Sequence, residues 1–282
     1  MTAKDQPVHV FPGARRADVS GVAPEIADIV EDIRGLGYAL IPDYLDARKI
    51  GDYSARIDRL YAEQVREFGA DNMAAINDEG VCRSLFAYDD VFIDLLRAPV
   101  LMKVCRHFFG PVFTLHVQRA VLSAARQQHA AAVWHREPAY QNFTSSVPVA
   151  LSTIFFLDGS AAENGGVHVL DASHKFDLFP TDSYVRRHEK LVEAPPGSLL
   201  VFDSALFHRG GYNSSNDVRR SIVQIYSSPL LKQATDIPHA LNGRLRGDPE
   251  LEMLLGYTTM PDAGDLAYRQ RKLRQKAGGS DY

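Results

Sequence analysis

His135 and Glu137 stand two residues apart in the tetrapeptide WHRE (134–137), a further imidazole follows at His208, and Arg219 lies eleven residues beyond it. Two imidazoles and one carboxylate are a donor set for a divalent transition metal. Iron(II) in particular is held by such a set on one face, with the opposite positions open to small ligands. In extended backbone, side chains at i and i+2 share a side, so His135 and Glu137 face one point while Arg136 faces away. On a helix the same pair would diverge.

A histidine and a glutamate at this spacing are a weak signal alone, and the later segment FDSALFHRGGYNSSNDVRRSIVQIY (202–226) supplies the weight. Its pattern predicts an apolar strand ending at His208, a turn of Gly, Asn and Ser, and a hairpin return into a strand carrying Arg219. Alternation along that strand groups Arg219, Ser221, Val223 and Ile225 on one face and Arg220, Ile222, Gln224 and Tyr226 on the other. The first group suits an interior. A guanidinium there, with a hydroxyl two residues on, suits a bidentate grip on a buried carboxylate. A register slip of one residue would place Arg220 there instead.

The elements that must position these groups divide the chain. Residues 1–20 read as a loose arm, and 21–282 as a single domain with a helical part (21–110), a β-rich core (111–230) and a tail of helices and loops (231–282). Ile26, Ile29, Val30 and Ile33 have helical spacing, as do Ile50, Tyr53, Ile57, Leu60, Tyr61 and Val65 in a longer helix from Asp46 to Phe68. Two more helices are expected over 89–97 and 99–109, and tail helices at 249–255 and 268–276. YALIP (38–42) reads as a short strand. From residue 111 the segments 111–123, 147–159, 165–173, 197–204 and 219–228 are rich in Val, Ile, Phe and Tyr and bounded by Gly, Pro, Asn and Asp. The expected fold is mainly β with flanking helices, around a double-stranded β-helix (jelly-roll, cupin-like) core.

Composition narrows the partners. The chain has 282 residues, a net charge of -4 and 45% hydrophobic residues, which suits a globular enzyme-sized unit. Lys and Arg are scattered, so there is no footprint for nucleic acid or an anionic membrane. No apolar run would span a bilayer and the first residues lack the order of a secretory signal, so the expected location is cytoplasmic. Cys82 and Cys105 read as buried free thiols. Oligomeric state is not legible.

With WHRE, FFLDGSAAENGGVHVLDASHK (155–175), PPGSLLVFDSALFHRGGYNSS (195–215) and RRSIVQIY (219–226) together, the sequence resembles the phytanoyl-CoA dioxygenase-like (PhyH) family of iron(II)/2-oxoglutarate-dependent oxygenases, from about Gly35 to Pro229. The resemblance implies that His135, Glu137 and His208 bind iron and that Arg219, with Ser221, binds the far carboxylate of 2-oxoglutarate. It places Gln118 where a polar residue contacts co-substrate or substrate, with Thr153 a further candidate for 2-oxoglutarate. Tyr140, Gln141 and Asn142 fall where the family lines its substrate pocket. The implied cofactors are iron(II), 2-oxoglutarate and O₂, and the implied reaction is hydroxylation of a small molecule with release of succinate and CO₂.

Glu137 departs from the more usual Asp, and Gly210 stands two residues past the distal His in place of a hydroxyl-bearing residue. Retention of a carboxylate argues against a halogenase, in which a small residue leaves room for chloride. The polar loop 140–146 favours an amino acid, a sugar or a natural-product intermediate as substrate. Two other readings stay open: a metal-binding jelly-roll enzyme that does not use 2-oxoglutarate, and a catalytically silent binding protein of the same fold. His116 and His168 read as interior packing, His174 as orienting a turn, Trp134 as packing beside the site, and Asn164-Gly165-Gly166 as a turn requiring positive φ.

Overall fold

The structure is a computed structural model that describes residues 22–137 and 143–277. Its strands are β1 (Tyr38–Ile41), β2 (Val81–Arg83), β3 (Thr114–Ser123), β4 (Gln127–Gln128), β5 (Ala150–Phe156), β6 (Val167–Leu170), β7 (Glu189–Leu191), β8 (Leu199–Asp203), β9 (His208–Gly210), β10 (Tyr212–Asn213) and β11 (Arg219–Ser227). They form a six-stranded sheet in the order β1-β8-β5-β11-β3-β2, a three-stranded sheet β7-β6-β9 and the two-stranded pair β10-β4. Every pairing is antiparallel. The large and small sheets are the two walls of a jelly roll.

Period-2 alternation sorts the side chains of the large sheet. Leu151 and Phe155 of β5, Leu199 and Val201 of β8, and Ile222 and Tyr226 of β11 pack into one apolar cluster with the helices. The residues of opposite parity, Ile154, Phe156, Leu200 and Phe202, join Val167, Val169 and Leu206 between the two sheets. The helical layer is held by the helix Ala47–Phe68, whose Tyr53, Ile57 and Leu60 are buried. Asp46 caps its N-terminus by accepting from Lys49 N, and Pro99–Phe109 contributes Leu101, Met102, Val104 and Cys105. Cys82 and Cys105 are both buried and free.

The long helices and the five main strands lie where the periodicities place them, and several details differ. The stretch 89–97 is not one helix but a 3-10 turn, Asp90–Phe92, followed by Ile93–Leu96. The helical part also supplies β1 and β2, which edge the large sheet on either side. The segment after Asp203 does not carry an unbroken strand to His208. It leaves the large sheet through a turn at Ser204–Phe207, and His208 opens β9 in the small sheet. His208 and Arg219 are therefore not on one hairpin. They sit on opposite walls of the jelly roll, because β9 pairs with β6 while β11 pairs with β3 and β5.

The helical layer docks on the sheet at Gly197. Its carbonyl accepts from Leu45 N at 2.8 Å. Its φ is +88°, and a Cβ there would lie 2.3 Å from Leu45 O. Backbone against backbone leaves no flexible atom to yield. Gly197→Ala is expected to cost about 1–3 kcal/mol of stability, read as a fall in the denaturant midpoint at unchanged slope.

Candidate active site

The chain reversal that follows β8 sets the site. His135 N donates to His208 O and His208 N donates to His135 O, both at 3.0 Å. This antiparallel bridge places the two imidazole rings 4.3 Å apart, tilted by 50°. Two residues on, Glu137 N donates to Ser204 O at 2.7 Å. Arg136, of opposite parity, points the other way, donating to Phe176 O at 3.0 Å and lying over the Phe207 ring.

Each imidazole is oriented by the carbonyl two residues before it. His135 Nδ1 is 2.7 Å from Val133 O and His208 Nδ1 is 2.9 Å from Leu206 O. A carbonyl only accepts, so each Nδ1 carries the proton and each Nε2 keeps a free lone pair. Burial, reinforced by the neighbouring His135 ring, pushes His208 down to about 3, so it stays neutral. This is the state in which imidazole binds a metal, with the outer hydrogen bond fixing ring and tautomer.

His135, Glu137 and His208 line one cavity of about 60 Å³ together with Arg219 and Ser221, between apolar walls that include Ile154, Val167, Phe202, Val223 and Ile225. The interior face of β11 is thus the one that carries Arg219. Arg220 points outward, to Asp58 and Asp158. Arg219 Nε donates to Asn164 O at 3.0 Å and Nη2 to Ser123 Oγ at 3.2 Å. Its Nη1 is buried with no hydrogen-bond partner among the described residues. Burial lowers the guanidinium to about 10, which leaves it charged at neutral pH. A buried cation one acceptor short is a seat for an anion.

Two candidates face elsewhere. Gln118 accepts from Phe86 N at 2.9 Å and donates to Phe92 O at 3.3 Å, and Thr153 donates to Gln224 O at 3.2 Å. Gln118, Gln224 and Thr153 are in register across β3, β11 and β5, on the face under the helices. Gln118 serves the helical backbone there and Thr153 the adjoining strand, so neither lines the cavity. Tyr140, Gln141 and Asn142 lie outside the described residues.

His116 does not line the cavity either, and His168 Nδ1 lies 3.0 Å from Glu189. His174 is buried and reaches Arg34 O, while Ser173 beside it accepts from Phe207 N at the site turn. Trp134 packs on Phe179. Gly165, not Asn164, takes the positive φ in its turn.

One cavity residue is legible only by parity. Arg119 shares its face of β3 with Val121 and lines the cavity, and its Nη2 donates to Glu137 Oε1 at 3.0 Å. No three His, Cys, Asp or Glu side chains among the described residues converge closely enough to hold a metal as they stand. The donor chemistry fits a divalent ion, with two free Nε2 atoms and a carboxylate in one cavity.

Residues 33–221 match the family described as Phytanoyl-CoA dioxygenase (PhyH), and the chain belongs to that family. The uncharacterized protein Rv1501 of Mycobacterium tuberculosis is 27% identical over 239 residues, covering 82% of this chain and 86% of that protein. Dioxygenase af480 of Aspergillus fumigatus is 24% identical over 298 residues, covering 98% and 92%.

Among solved structures, EctD from S. alaskensis with 2-oxoglutarate and 5-hydroxyectoine superposes with a TM-score of 0.62 at 18% identity, covering 77% of this chain and 80% of that one. The epimerase SnoN from nogalamycin biosynthesis gives 0.55 at 18%, covering 73% and 83%. These likenesses establish the jelly-roll fold. No helix among the described residues is long and apolar enough to cross a membrane.

The turn that carries His208 begins at Asp203, whose carboxyl is raised to about 6 by burial, against the lowering effects of the Ala205 N–H, Lys175 and Arg136. The folded protein therefore holds this proton more tightly than the unfolded chain. That contribution is present below the ordinary pKa of 3.8 and is lost as pH rises through 6. Asp203→Asn, which keeps an acceptor for Ala205 N, is expected to exceed wild type in stability by about 2–3 kcal/mol above pH 7. The gap should close below pH 4, as measured by urea unfolding across a pH series.

Proposed function

We propose that this protein is an iron(II)- and 2-oxoglutarate-dependent dioxygenase that hydroxylates a polar small molecule in the cytoplasm, releasing succinate and CO₂. In this reading His135 and His208 hold iron through Nε2, and Glu137 completes the face. The bound metal, with 2-oxoglutarate and O₂, supplies the oxidising chemistry, which side chains alone do not provide.

The chain's own residues bind and orient. Arg219 takes the far carboxylate of 2-oxoglutarate through its unpartnered Nη1, and Ser221 offers a hydroxyl in the same wall. Asn164 O and Ser123 Oγ fix the guanidinium in advance, so little side-chain entropy is lost on binding. The apolar wall excludes water from the reacting end. Tyr140, Gln141 and Asn142 are proposed to contact the substrate.

The observation that carries the reading is a buried guanidinium with an idle donor in the cavity that two ligand-ready imidazoles also line. Membership of the PhyH family supports it. So does EctD, a fold of this type solved with 2-oxoglutarate. SnoN, on the same fold, is an epimerase, so hydroxylation rests on the substrate's placement and not on the fold.

Arg219→Gln should raise the half-saturating 2-oxoglutarate concentration by about 30-fold or more, the usual cost of one partner of a buried charge-assisted pair. Trp134 is the one tryptophan of the chain and adjoins His135, so its fluorescence under anaerobic iron(II) reads this directly. Succinate formation, screened with candidate amino acids, sugars and natural-product intermediates, should require both iron and Arg219. An enzyme that makes no use of 2-oxoglutarate would tolerate Arg219→Ala, and a silent binding protein would give neither quenching nor succinate.

A further inference from the structure

Glu137 presents its carboxylate to Arg119, through Oε1 at 3.0 Å, and not to the two imidazoles. Its backbone is pinned to Ser204 O at 2.7 Å, so only side-chain torsions move its carboxylate. That carboxylate is on Arg119, in a pair whose side chains are 24% and 22% exposed. In this position it does not converge with the two imidazoles.

Arg119, for its part, has no other ion-pair partner among the described residues. Glu137 is its one hydrogen-bond acceptor among the described residues. Arg119 also lines an adjoining cavity of about 280 Å³, whose walls share Val121, Ala131 and His135 with the site. The acid in that cavity, Asp78, is taken on both oxygens by Arg83, at 2.6 and 2.7 Å. Glutamate, one methylene longer than aspartate, has the additional torsion that lets one backbone position address both sides.

We propose that Arg119 is a positioning residue that holds the Glu137 carboxylate away from the metal position, so that metal loading works against the Arg119–Glu137 pair. This rests on the iron-binding reading above. The opposite role, Arg119 steadying Glu137 as it ligates, would give the opposite sign on mutation.

The test is anaerobic iron(II) titration of the full chain by calorimetry, without 2-oxoglutarate, with thermal unfolding to show that each variant is folded. Arg119→Gln should bind iron about fivefold tighter than wild type, the size of a partly exposed ion pair, and Arg119→Lys, which keeps the charge, should stay close to wild type. Glu137→Gln should bind more weakly, and Arg119→Gln should bring no gain in that background. Equal or weaker binding by Arg119→Gln would overturn the proposal, as would a gain that persists without the Glu137 carboxylate, which would make it a general charge effect. If wild type and His208→Ala alike bind no iron, the metal reading itself fails and the inference with it. If wild type binds and Arg119→Gln does not tighten, only the inference fails.

Discussion

Two backbone hydrogen bonds between His135 and His208 are the constraint on which the site depends. They close an antiparallel bridge between segments that are far apart in the chain, and thereby fix the separation of the two imidazoles before any ligand arrives. The remaining order is local. Each ring is turned by a carbonyl two residues earlier in its own chain, so the strand geometry that sets the bridge also sets the tautomer. Imidazoles with a protonated Nδ1 and an open Nε2 are good metal ligands. The large sheet contributes the opposite wall, where β11 presents Arg219 across the cavity.

Charge is distributed unevenly in this cavity. Arg219 is nearly all buried and braced by Asn164 and Ser123, with one donor unpartnered among the described residues. Arg119 is partly exposed and spends a donor on Glu137. The first arrangement would suit the proposed carboxylate of 2-oxoglutarate, and the second is already paired within the protein. Both guanidiniums lie on the cavity face of neighbouring strands, and their different burial gives them different tasks.

Much of this was legible in the sequence because period-2 alternation is a rigid rule. The face of β11 carrying Arg219, Ser221, Val223 and Ile225 follows from it directly, as does the outward turn of Arg136. The same rule, applied from β11 to its paired strands, assigns Gln118 and Thr153 to the far side with Gln224, and Arg119 to the cavity. That step needs the interstrand register, which pairs residues more than seventy positions apart and has no local signal. The crossing of the chain between sheets at Ser204–Phe207 was hidden for a related reason. An apolar run such as Leu199 to Phe207 reads as one strand until its hydrogen-bond partners are known. Chemistry was legible from residue types, while the present position of the Glu137 carboxylate came only from tertiary contact.

The central claim is that the two histidines and the buried arginine form one site for iron(II) and 2-oxoglutarate. Anaerobic addition of both to the folded protein should produce the visible charge-transfer band of the chelated 2-oxo acid, and His208→Ala should abolish it. No band in folded wild-type protein, or a band that survives in His208→Ala, would contradict the account.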